Sequence, residues 1–164
     1  MGTEAIQALK DALSRADHGG SLGPASAEHI KRAKEAGFPQ DLIEFYAGHE
    51  PDPDKICVQL GQRIWCIASA LVENKDAVPG LGVSPHGYIV FASTMCGDAY
   101  CIDTNVRAPD GRHPVVLFPH DSIDEYTDLP YIEASRIEVA SSLDDFLFKF
   151  VAGTLIEEPH YPPG

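Results

Sequence analysis

Between residues 3 and 46 the apolar positions recur every three or four residues, and between 56 and 118 they alternate or form short unbroken runs. The first spacing marks one face of a helix and the second marks strands. Ile6, Leu9 and Leu13, set among charged neighbours, predict an amphipathic helix over residues 3–16, ended by His18-Gly19-Gly20. Residues 21–26 read as a Gly/Pro hinge. Ser26 is the expected N-cap of a helix running through Ala33 and stopped at Gly37. Pro39 suits the first turn of a third helix, whose buried stripe is Leu42, Phe45 and Tyr46 and which Gly48 ends. His49-Glu50-Pro51-Asp52-Pro53-Asp54 then reads as a stiff acidic loop, because each proline fixes its own φ and restrains the residue before it.

Ile56, Val58 and Leu60 alternate with polar neighbours, Gly61-Gln62 offers a two-residue turn, and residues 63–67 return as the second strand of a hairpin. Residues 69–76 suggest a short helix with weak apolar spacing. Residues 87–92 and 99–103 are β-branched or aromatic runs joined by Ser93-Thr94-Met95-Cys96-Gly97-Asp98, and residues 114–118 follow a turn at 105–111. Residues 137–140 suggest a last strand. Short links between successive strands favour antiparallel pairing.

Residues 120–133 carry His120, Asp121, Asp124, Glu125, Asp128 and Glu133 without one Lys or Arg, the pattern of an exposed, irregular acidic excursion. The final helix has the clearest signature: Ser141 or Ser142 as N-cap, Asp144 and Asp145 at the positive end of the dipole, Lys149 near the negative end, and Gly153 as stop. Its stripe of Leu143, Phe146, Leu147, Phe150 and Val151 must lie on something, and the sheet is the available surface. The expected fold class is α+β, an antiparallel sheet of about five to six strands packed by N-terminal helices and a C-terminal helix. Residues 157–164, with three prolines, read as a loose tail.

Composition adds a size and a sign. The chain has 164 residues, within single-domain range, and 12 basic against 25 acidic side chains give a net charge of −13. That charge repels nucleic acid and anionic lipid and attracts a basic protein. No apolar run reaches the roughly 20 residues of a membrane span, and the start lacks a secretory pattern, so a cytoplasmic protein is expected.

Candidate chemistry is thin. Asp98 and Asp103 are five residues apart, so alternation sends their side chains to opposite faces, and each is expected to organise a turn by bonding nearby backbone. Cys96 with His86, His113 or His120 is the possible nucleophile pair of a small Cys-dependent enzyme, but nothing in the sequence brings them together. Cys57, Cys66, Cys96 and Cys101 lack the paired spacing of a zinc site. No catalytic residue, cofactor or metal is therefore expected. Trp65 alternates with Ile64 and Cys66 and becomes an interface anchor if it faces solvent.

Phe38-Pro39-Gln40-Asp41-Leu42-Ile43-Glu44-Phe45-Tyr46, Gly97-Asp98-Ala99-Tyr100-Cys101-Ile102-Asp103 and Ala140-Ser141-Ser142-Leu143-Asp144-Asp145-Phe146-Leu147 together resemble the SUKH superfamily, bacterial immunity-type domains related to a yeast cell-wall regulator. The chain departs from that pattern at Gly48-His49 and at Leu143. The resemblance implies one domain over residues 1–156, no catalytic site, and an immunity protein that blocks a toxin; some relatives are general interaction or regulatory modules. A basic toxin such as a nuclease is the simplest partner for the acidic loops, with Glu50, Asp52, Asp54, Asp121, Asp124, Glu125 and Asp128 as expected contact residues beside Trp65.

Overall fold

The computed structural model describes residues 2–16, 20–53, 57–59 and 61–163, and the side chains of all of these except 57–59. Of the hairpin's expected apolar positions, Ile56 and Leu60 lie outside the described residues, as does Asp54.

The N-terminal helices form as their spacing dictates: α1 (Thr3–Arg15), α2 (Ala27–Glu35) and α3 (Gln40–His49). Ser26 caps α2 by accepting the His29 N–H on its Oγ at 3.1 Å. Pro39 sits at the N-cap of α3, one residue earlier than a first-turn position. The acidic segment after α3 is not simply a loop. Glu50–Pro51 (β2) pairs antiparallel with Leu22–Gly23 (β1) in a small separate sheet.

Six antiparallel strands follow in chain order: β3 (Cys57–Gln59), β4 (Gln62–Ile64), β5 (Tyr88–Ser93), β6 (Ala99–Asp103), β7 (Val115–Phe118) and β8 (Ile137–Ala140). Gln59 pairs with Gln62, so Gln62 belongs to β4 rather than to the expected Gly61-Gln62 turn, and Gly61 takes a positive φ of 85°. β4 stops at Ile64, and Cys66 already occupies the N-cap position of α4 (Ile67–Lys75), where the Glu50 carboxylate accepts the Ile67 N–H at 2.9 Å. A short helix, α5 (Gly80–Val83), and a 3₁₀ turn lead into β5.

Every residue of β5, β6 and β7 is buried, so the sheet is covered on both faces. On the first face Ile89, Phe91, Tyr100, Ile102, Val115 and Leu117 meet Leu9 of α1, Phe45 and Tyr46 of α3, and the stripe of α7 (Leu143–Ala152). A bulge between Val90 and Ala92 puts Phe91 and Ala92 on this same face. On the second face Tyr88, Val90, Ala99, Cys101, Val116 and Phe118 are covered by Val83, Ile123 and Ile132. Residues 120–133 are thus not merely an exposed irregular excursion. They deliver two buried isoleucines and contain part of a helix, α6 (Leu129–Ser135), with Pro in its first turn.

The cap of α7 is reciprocal. Ser142 Oγ accepts the Asp145 N–H at 3.1 Å, while Asp145 Oδ2 accepts the Ser141 N–H at 2.9 Å and the Lys149 Nζ proton at 3.0 Å. Burial alone would raise the Asp145 carboxyl, but these bonds and the Lys149 charge outweigh it and hold the carboxyl below its ordinary value. Asp145→Ala should therefore cost about 1 kcal/mol at pH 7. A depressed folded-state pKa stabilises above the unfolded value and is lost as pH falls through the folded one, so the deficit should fade below about pH 4. Urea titrations at pH 7 and pH 3 check both halves.

Just before the tail at 157–164, Leu155 is buried in the first core, and at its first residue Glu157 Oε1 accepts a hydrogen bond from Gln62 Nε2 at 2.6 Å.

Candidate functional site

Residues 119–136 form an acidic lap across the second face of the sheet, and each fixing point is a long-range contact. At its start, Asp98 is 4% exposed and its Oδ1 accepts the His120 N–H at 3.0 Å and lies 2.8 Å from His120 Nδ1. Asp98 was expected to organise its own turn. It does so together with Thr94, whose Oγ1 accepts the Asp98 N–H at 3.1 Å and donates to Asp98 Oδ2 at 3.4 Å, while Asp98 Oδ1 reaches the lap instead of nearby backbone. In the middle, a Cβ on Gly82 would collide with the Asp124 carbonyl and stand 2.9 Å from Ile123 Cγ2, so only glycine lets α5 and the lap meet. At the end, Arg136 Nε lies 2.9 Å from Asp103 Oδ2, a charge pair without an aligned hydrogen bond. Asp103 also bonds the backbone of Asn105 at its strand exit, as expected.

The lap's own acids divide by task. Asp124 Oδ1 accepts the Tyr126 N–H and the Thr127 hydroxyl, closing a turn, and Asp128 caps α6 through the Tyr131 N–H at 2.9 Å. Both keep outer surface, for residues 124–126 and 128–130 are all exposed. Asp121 is exposed as well, and the most exposed large side chain of the lap is Tyr126, at 85%. Its phenol is pushed up by a hydrogen bond to Glu125 and by that residue's charge. The Tyr161 phenol is pushed up by burial, by a hydrogen bond to Asp121, and by the charges of Asp121 and Asp98.

The other expected contact residues lie elsewhere. Glu50 caps α4 and faces His29 Nδ1 at 3.3 Å, with its side chain 12% exposed, so its carboxylate is committed inside the fold. Asp52 follows β2, and its N–H bonds the Ser21 carbonyl. Trp65 is half-buried between the two cores, with the Arg63 guanidinium 5.0 Å above its ring, and its carbonyl accepts the Tyr46 hydroxyl. It is a packing residue in this position.

Among the described residues, no Cys/His hydrogen bond is formed. Cys96 is exposed, Cys66 and Cys101 are buried, and burial followed by the Asp103 charge pushes the Cys101 thiol well up. His113 Nδ1 bonds the Val106 carbonyl. Among the described residues, no three His, Cys, Asp or Glu side chains are grouped to hold a metal ion. No described helix is long and apolar enough to cross a membrane. A groove of about 530 Å³ between α3 and the 107–113 turn brings together Asp41, Arg107, Arg112 and Asp144. Its Arg112 is neutralised by Asp110 at 2.7 Å and Asp144 at 3.5 Å.

Sequence reasoning missed Met95, Tyr126, Tyr161 and Gln62 as members of this end of the molecule. The available signal was wider than the one used: residues 76–106, 113–135 and 150–164 all lack Lys and Arg.

An antiparallel sheet with helices on one face and an acidic lap on the other defines an α+β domain whose distinctive surface is a patch rather than a cleft. The chain belongs to the SMI1 / KNR4 family (SUKH-1), whose model matches residues 24–149. That match also bears out the SUKH likeness of the motifs at 38–46, 97–103 and 140–147, and the α+β expectation stands with it. No curated protein matches the sequence.

Proposed function

We propose that this domain is a cytoplasmic, non-enzymatic immunity-type protein that neutralises a toxin by covering a basic surface on it with the acidic lap. The observation that carries the reading is the lap itself: Asp121, Asp124, Glu125 and Asp128 stand on a segment fixed to the sheet near both its ends, with no Lys or Arg from 113 to 135. Rigid presentation lowers the ordering cost of binding, and unopposed charge speeds encounter with a cation. The family supplies the prior for an immunity role. A nuclease is the simplest partner, because a phosphate-binding cleft is basic.

The test is co-expression with a toxin encoded beside this gene, scoring growth and co-purification. Asn or Gln at positions 121, 124, 125 and 128 removes four charges, and Asn keeps the turn and cap bonds of Asp124 and Asp128. This variant should bind the toxin about 30-fold more weakly at low salt, with the gap closing as salt rises. Unchanged affinity and salt slope would refute the reading. Co-purification without growth rescue would instead identify a general interaction module.

A further inference from the structure

The segment after α7 has no regular structure, yet it is tied to the sheet and to the lap. The Tyr100 hydroxyl donates to the Ile156 carbonyl at 2.9 Å, Gln62 Nε2 donates to Glu157 Oε1 at 2.6 Å and to the Tyr100 hydroxyl at 3.2 Å, and Tyr161 bonds Asp121. The chain therefore runs from the end of α7 past β4 and β6 to the lap. Beside it stands the 94–98 turn: Met95 packs on Gly61, and Gly97 lies against His120.

This end of the molecule leaves apolar side chains outside. Met95 is 72% exposed, Tyr161 51% and Ile156 45%. Asp121 lies beside Tyr161, Glu157 and Glu158 follow Ile156 in the chain, and the segments 93–106, 114–135 and 150–163 contain no Lys or Arg, while Arg63, next to Gln62 on β4, is held over the Trp65 ring. Apolar surface flanked by one sign of charge is a contact surface for the opposite sign. A second feature is independent of that charge. Gln62 is 2% exposed, and its amide oxygen has no donor among the described residues, although its nitrogen is bonded beneath the same segment. An N–H donor reaches that oxygen once a partner shifts Glu157 and the segment that carries it.

We propose that the C-terminal segment and the 94–98 turn extend the acidic lap into one docking surface for an Arg/Lys-rich segment of a protein partner. Tyr161 presents its ring beside the Asp121 carboxylate, the pairing that stacks and bonds a guanidinium. Met95 and Ile156 receive the aliphatic stems of the same side chains. The inference rests on the lap's role as a binding surface and deepens it by naming the chemistry that binds and the residues beyond the lap.

The probe is a capped, fluorescein-labelled hexa-arginine peptide added to the full chain in 50 mM salt, with anisotropy for affinity and amide shifts for location. Tyr161→Ala should weaken binding about fivefold at unchanged net charge, whereas Tyr161→Phe, which keeps the ring, should stay within about twofold. Glu28→Gln combined with Glu35→Gln, which removes two charges from α2, should change affinity less than twofold. Shifts should appear at residues 95–98, 120–128 and 155–162 and in the Gln62 side-chain amide. Wild-type or tighter binding by Tyr161→Ala, or shifts that leave out 155–162, would overturn this inference while the lap still binds. A variant neutralised at 121, 124, 125 and 128 that binds the peptide as tightly as wild type would instead overturn the lap's own role.

Discussion

Phe146→Ala should remove about 3–5 kcal/mol of folding stability, seen as a lower urea midpoint with an unchanged slope. The side chain is fully buried on α7, where its ring meets those of Phe91 at 4.9 Å, Tyr100 at 5.2 Å and Phe150 at 6.1 Å between centroids. Two of these contacts are edge-to-face, an arrangement that adds to the area buried. Alanine would leave a void between β5, β6 and α7 that three large, rotamer-fixed rings cannot refill. Phe148→Ala, on the 44% exposed side of the same helix, should stay within about 0.5 kcal/mol and serves as control. Equal losses in the two variants would show that the ring cluster does not hold the helix to the sheet.

Arg136→Met should cost about 3 kcal/mol. Asp103 is 1% exposed, and its partner Arg136 closes the lap just beyond α6. Methionine keeps the apolar stem and deletes the charge, so the loss reports a buried carboxylate left with only its Asn105 bonds. Adding Asp103→Asn should return part of that loss, because a neutral amide costs less to bury than an unpaired carboxylate. A double variant whose loss equals the sum of the singles would show that the two side chains are not coupled. The same Arg136→Met variant should weaken partner binding, since the far end of the lap is released while Asp121, Asp124, Glu125 and Asp128 remain intact.

Local rules explain what could be read ahead of the structure. Ser26 and Ser142 are caps because a hydroxyl meets an N–H three residues on, a distance within reach of the chain's own geometry. The α7 stripe follows from a period of 3.6, and the antiparallel pairing of β3 with β4 and of β5 with β6 follows from short links. Gln62 lies in β4 rather than in a Gly61-Gln62 turn, since alternation alone does not say which side of a glycine a hairpin closes on.

The role of the acidic stretch needed tertiary structure. Its carboxylates announced an exposed surface, and much of that surface is exposed, but Ile123 and Ile132 carry no period that marks them as the cover of a second sheet face. Glu50 stands in an acidic segment, yet its carboxylate accepts the Ile67 N–H, 17 residues away. The bonds from Asp98 to His120 and from Gln62 to Glu157 span 22 and 95 residues.

By itself the sequence determined helices α1–α4 and α7, the Ser26 and Ser142 caps, the antiparallel pairing of strands joined by short links, and the sign of the surface, all of which depend on neighbours within a few positions or on total charge. Only the tertiary structure decided which acids stay outside as a surface and which are consumed as caps and anchors. The physical reason is that a carboxylate's fate depends on the N–H groups and cations that folding brings to it, and those come from distant parts of the chain.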